Sequence, residues 1–202
     1  ESLDLSNFNT SRIKDMSNLF QYSSKLKSIN FGSFDTSQVT TMKEMFMSCS
    51  SFESLDLSSF NTSSVISMES LFSHCTNLKN INLSSFDTKQ VKYIHYMFYN
   101  CTNIKSIDFT KFDTSSVINM RAMFYNCSSL KNLDVSAFNT SSVTNMRSMF
   151  YRCSSLKELN LSNFDTSLVT AMTYMFLGCT SLEYLNLSNF NTEKVSSMTQ
   201  MF

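Results

Sequence analysis

The chain contains no proline, no tryptophan and only two glycines, Gly32 and Gly178. A glycine-rich loop that cradles phosphate, or a glycine-turned calcium loop, therefore has little to be built from. Neither sign of charge is in excess, because 16 basic residues cancel 16 acidic ones. No basic stripe runs along the sequence, so the long-range attraction behind nucleic-acid or anionic-membrane binding is missing, and neither partner is expected. Apolar runs stay well short of the roughly 18 to 20 residues that span a bilayer, and the N-terminus lacks a signal-peptide layout. The six cysteines never form the C-x2-C pairs of a zinc site. No cofactor or metal is expected.

What the sequence holds instead is one unit rewritten along its whole length. Ser128 to Cys153, SSLKNLDVSAFNTSSVTNMRSMFYRC, shows that unit, and its period is 26 residues. Phe8, Phe34, Phe60, Phe86, Phe112, Phe138, Phe164 and Phe190 recur without a register slip, each followed two residues later by threonine. Such a period marks a solenoid, in which each rung is too small to bury its apolar face alone and buries it against its neighbours. Residues 1–202 read as one continuous array of about eight turns, and as an excerpt of a longer protein.

Within the second rung, Leu26, Ile29 and Phe31 give L-x-x-L-x-L, whose last three residues alternate as a half-buried strand does. Leu55/Leu57, Ile81/Leu83, Ile107/Phe109, Leu133/Val135, Leu159/Leu161 and Leu185/Leu187 repeat it. Stacked, these strands predict a parallel sheet. Asp35-Thr36-Ser37 then offers short side chains that accept from backbone N–H groups, as at a helix start. The column alternates Asp and Asn, so it reads as structural rather than as a calcium site. Val39, Met42, Met45 and Phe46 are spaced three, three and one, which predicts a short helix closing each turn. The expected fold is thus α/β: a right-handed solenoid, parallel sheet on one face and short helices on the other, its hand following the rule for parallel crossovers.

These residues carry a resemblance. The strand motif resembles a leucine-rich repeat, and the full unit, LDLSxF(D/N)TSxVxxMxxMFxxC, is similar to the BspA-like, DUF285 type of surface-protein repeat over the whole chain. Departures are mild: Leu19 and Leu71 replace the second Met, Ile94 the first, and Ser23 the first Cys. The resemblance implies a large cell-surface protein of a bacterium or protist, acting in adhesion, protein binding or structure. It offers no catalytic residue.

Cys49, Cys75, Cys101, Cys127, Cys153 and Cys179 fall in one column, one to a rung, and read as buried free thiols filling a narrow space. Thirteen of the 14 methionines occupy two inward positions as core, and only Met47 is off-pattern. His74 and His95 lie on different rungs with no nucleophile placed against them, so catalysis is not expected.

Candidate contacts come from outer columns. Tyr93, His95, Tyr96 and Tyr99 cluster in the least regular rung. Tyr99, Tyr125 and Tyr151 stack just after the core phenylalanine and are expected to face solvent, where a row of aromatics suits carbohydrate or protein. Lys79, Lys105, Lys131 and Lys157, bracketed by Glu53 and Glu183, form a like-charged column beside the strand that serves a partner or discourages contacts. Asp108 and Asp134 are adjacent on the strand face, where their repulsion invites a cation. The sequons at Asn100 and Asn126 would mask the tyrosines if glycosylated. The expected function is a non-catalytic module at the cell surface or outside the cell, binding a protein or glycan on another surface. The alternative is a structural protein binding copies of itself end to end.

Overall fold

A computed structural model describes all residues from Glu1 to Phe202. The 26-residue rungs stack with their backbones in parallel. Six short strands form one wall: β1 (Ser2–Asp4), β2 (Ser28–Asn30), β3 (Ser54–Leu55), β4 (Asn80–Ile81), β5 (Glu158–Asn160) and β6 (Tyr184–Asn186). They pair in parallel as β1 with β2, β3 with β4 and β5 with β6, each residue facing its equivalent 26 positions on. The wall is therefore three separate pairs and not the single sheet the strand motif suggests. Residues 105–109 and 131–135 carry the same apolar alternation but form no strand, and a single inter-rung backbone bond remains there, from Lys105 N–H to Lys79 O at 3.2 Å.

Charge accounts for most of the breaks. Where pairing persists, opposite charges sit beside it: Lys79 Nζ lies 2.7 Å from Glu53, and Lys157 lies 3.8 Å from Glu183. Where it fails between β4 and β5, Lys79, Lys105, Lys131 and Lys157 follow one another with no acid between them, and Asp108 precedes Asp134. Like charges directly opposite each other across strands are destabilising. The break between β2 and β3, flanked by Lys27 and Glu53, is not explained by charge.

The opposite wall contains no helix. Each rung instead runs through overlapping β-turns, seen in the second as Met45 N–H to Met42 O, Met47 N–H to Glu44 O and Cys49 N–H to Phe46 O. The N–H groups between them donate sideways: Met42 to Ser67 O, Glu44 to Glu69 O, Phe46 to Leu71 O and Ser48 to Ser73 O, at 2.7–3.0 Å. In a helix those donors would be spent within the rung. Serial three-residue turns place Met42, Met45 and Phe46 inward at the same spacing as a helix, which is why the apolar pattern mimics one. Two residues per rung bend through the left-handed region, such as Glu44 and Ser48 at φ 57° and 61°. A parallel bridge ladder runs through this wall unbroken from Asp15 to Ser197.

Between the walls lies one core. Phe20, Phe46, Phe72, Phe98, Phe124, Phe150, Phe176 and Phe202 stack ring on ring, with centroids 5.4–6.1 Å apart. The cysteines are free, and all but half-buried Cys179 are buried. Each thiol donates to the carbonyl of a phenylalanine one rung back, as Cys101 Sγ does to Phe72 O at 3.1 Å. Burial pushes the Cys101 thiol up to about 12, so it stays protonated and unreactive. Column position thus selects a narrow side chain that is also a donor.

The threonine column closes the corner between the walls. Thr36 Oγ1 donates to Asn61 O at 2.9 Å and accepts from Asn61 N–H at 2.8 Å, clamping the next rung with one hydroxyl. Thr114 repeats this on Asn139. The Asx column caps its own turn, with Asp35 Oδ1 accepting from Ser37 N–H at 2.8 Å. That contact and the Ser37 hydroxyl hold the Asp35 carboxyl below the usual range. These residues act as turn caps, as the Asp/Asn alternation implies. Asp134 is held low in the same way by Ser136, which outweighs repulsion from Asp108. No helix is long and apolar enough to cross a membrane.

Candidate functional site

The turn wall presents three neighbouring columns outward, and in the C-terminal half of the molecule their residues form a groove of about 440 Å³. Its floor comes from the column two residues before the cysteine. Tyr99, Tyr125 and Tyr151 are half-buried and stacked, with centroids 4.4 Å apart at both steps. They lie along the solenoid axis, so each inner ring spends its faces on its neighbours. What reaches the groove is ring edge and hydroxyl. The phenol of Tyr125 is pushed up to about 12, first by burial and then by the Tyr99 and Tyr151 hydroxyls beside it, so it remains a proton donor.

The ends of the groove are set by a second column, in which Tyr96, Ala122, Ser148 and Tyr174 succeed one another at the 26-residue period. Two small residues between two tyrosines leave a slot two rungs wide. Tyr96 meets Tyr99 edge-on at 5.6 Å, and Tyr174 meets Tyr151 edge-on at 6.5 Å. These positions bend through positive φ, 60° at Tyr96 and 61° at Tyr174, which turns the side chains onto the outer surface.

The third column supplies charge. Arg121 Cζ lies 5.4 Å from the Tyr96 ring centre and Arg147 Cζ lies 5.7 Å from that of Tyr174. Arg152 covers the outer side of the stack, 5.3 Å from Tyr151. Ring quadrupoles hold these guanidiniums without neutralising them. The groove lining contains no carboxylate.

One rung earlier the same column continues as His95, Glu69 and Lys43. His95 Nε2 lies 3.4 Å from Glu69, which is also 3.1 Å from Lys43. His95 Nδ1 is buried without a partner. Burial is the largest influence on this imidazole and lowers its pKa, against the pull of Glu69. His74 Nδ1 accepts from the Asn100 side-chain N–H at 3.1 Å, and Asn100 Oδ1 accepts from the Asn126 amide at 2.6 Å, so the nitrogens of both sequons are engaged.

The expected contact residues therefore divide. Tyr96, Tyr99, Tyr125 and Tyr151 come together in the groove. His95 packs against Tyr96 at its margin, and exposed Tyr93 lies beyond His95. Lys105 and Lys131 stand in the column beside the strands, away from the groove. Sequence reasoning missed Tyr174, Arg121 and Arg147. The signal was available, because Tyr174 shares the register of Tyr96, and the two arginines follow His95 at one and two periods.

The architecture is a parallel-stranded repeat solenoid with a groove of side chains on its turn wall. The family described as "Mycoplasma protein of unknown function, DUF285" matches residues 1–108 and again 94–202. The chain belongs to that family and carries a leucine-rich-repeat type of unit. No curated protein matches it. Among solved structures it is similar to "Crystal structure of TLR13-ssRNA13 complex", at TM-score 0.43 and 22% identity, over 93% of this chain and 25% of that one. It is also similar to a leucine-rich repeat protein from Bacteroides ovatus ATCC 8483, at TM-score 0.31 and 14% identity, over 93% of this chain and 81% of the other. The chain spans a quarter of the first of these, and likeness at these scores bears on no ligand.

Proposed function

We propose that the chain is a non-catalytic binding module of a cell surface or the extracellular space, attaching to a protein or glycan on another surface. The observation that supports this reading is the groove itself. Earlier in the same column Lys43, Glu69 and His95 engage one another, whereas Arg121 and Arg147 in the groove have no ion-pair partner. Half-buried aromatic residues beside arginine are the composition of binding hot spots. Adherence of beads carrying the purified chain to cultured cells and extracellular matrix tests it. Adherence that soluble chain competes away is the expected result, and beads no stickier than albumin-coated ones would overturn it.

A second reading is end-to-end assembly, in which copies of the chain bind one another. Light scattering over a hundredfold concentration range separates the two, since a constant molecular mass removes the assembly reading.

A further inference from the structure

The chemistry of the groove narrows its ligand. A neutral sugar ring or a nucleic-acid base binds aromatic side chains by lying on an open ring face. Here much of that surface is taken: both faces of Tyr125 by Tyr99 and Tyr151, and one face each of Tyr96 and Tyr174 by Arg121 and Arg147. Ring edges carry the positive side of the aromatic quadrupole. Edges, phenol O–H groups and two uncompensated guanidiniums one rung apart all favour negative charge and oxygen acceptors.

A peptide main chain brings N–H groups that need acceptors, and the groove has few to give. Its own backbone is spent on the ladder, with Ala122 N–H on Arg147 O, Ser148 N–H on Thr173 O and Phe124 N–H on Met149 O. Within the groove no strand edge is open for an extended peptide to join. A carbohydrate asks for hydroxyl partners instead, and Tyr99, Tyr125, Tyr151 and Ser148 provide them.

We propose that this groove binds an acidic carbohydrate, the anionic group of one sugar seated between Arg121 and Arg147 and its hydroxyls on the phenols of Tyr99, Tyr125 and Tyr151. This rests on the binding-module reading and names its ligand class. The anion is a carboxylate or a sulfate, both of which present flat or forked oxygens to guanidinium.

Affinity electrophoresis of the whole chain in gels containing polygalacturonate, heparin or neutral dextran tests the proposal. Retardation by polygalacturonate assigns carboxylate, retardation by heparin alone assigns sulfate, and dextran should have no effect. The double variant Arg121→Gln/Arg147→Gln should lose at least tenfold in affinity. Removing the same charge elsewhere, as Lys89→Gln/Lys111→Gln, should change it less than twofold. Tyr125→Phe keeps the stack and removes one hydroxyl, and should weaken binding about threefold. Circular dichroism melts establish that each variant is folded. Equal losses in the two double variants, retardation by dextran, or tighter binding of a poly-glutamate peptide than of either acidic polysaccharide would overturn the proposal. Beads that still adhere to cells through the Arg121→Gln/Arg147→Gln variant would leave the module reading standing while this one fell.

Discussion

The two walls of the solenoid start from the same repeat and end differently. The strand wall has the stronger β-forming sequence, with Leu, Ile, Val and Phe alternating inward, yet its pairing breaks wherever like charges stack between β4 and β5. The turn wall has the apolar spacing of a helix and forms none, yet its inter-rung ladder is continuous. In a stacked repeat, what is preserved is the register of donors and acceptors from rung to rung. Local propensity within the rung is overridden by it. The strand wall can therefore tolerate an open pair, because the turn wall and the threonine corner already fix each rung on the next.

That contrast can be broken most severely with proline. Ala122→Pro removes the N–H that donates to Arg147 O and cannot adopt the φ of 52° found there. It should destabilise by about 3 kcal/mol or more. Ser106→Pro lies in the unpaired stretch of the strand wall, where the N–H has no backbone partner, and should cost less than about 1 kcal/mol. Urea melts of the two variants compare the walls directly, and equal losses would refute the asymmetry.

Next in size is the corner. Thr114→Val removes the hydroxyl that both donates to Asn139 O and accepts from Asn139 N–H at a fully buried site. Leaving the Asn139 N–H and C=O without this partner should cost about 1–3 kcal/mol, read as a lower urea midpoint with an unchanged slope.

A gain is expected from Ala122→Gly. Glycine is usually destabilising, but here it relieves a left-handed alanine, and thermal melts should show stabilisation of about 0.5–1 kcal/mol. The opposite change at Gly32 should be harmful, since a Cβ there would stand 2.5 Å from Ser6 Cα.

The smallest effect sharpens the comparison on the strand side. Lys105→Glu places an acid between Lys79 and Lys131 and should stabilise by about 0.2–1 kcal/mol at low salt. The gain should fade in 0.5 M NaCl as surface charges are screened.

Much of this organisation is legible in the residues themselves. An unbroken 26-residue period assigns every position to a column, and in the interior rungs the columns of Phe46, Met42, Val39 and Cys49 are core in both the pattern and the structure. The helix was misread because apolar spacing reports which residues face inward and not which hydrogen bonds get them there. A better signal lay in the column of Tyr22, Ser48, His74, Asn100, Asn126, Arg152 and Gly178, where asparagine and glycine mark a left-handed bend. The tyrosine stack was visible for the same columnar reason. That its rings present edges, and that Arg121 and Arg147 flank them, depends on side-chain direction, which period alone does not specify.

The bonds of the turn wall run from rung to rung, along the length of the molecule. A pull on the two ends therefore loads those bonds directly, and each interface must bear the whole tension, since the interfaces are in series. Rungs should peel away one at a time, each adding at most about 90 Å of extended chain. In single-molecule stretching the array would yield as a sequence of equal steps, lengthening under load while the rungs behind the break stay folded. A tether built this way would absorb a sudden force by surrendering length before it surrendered its grip.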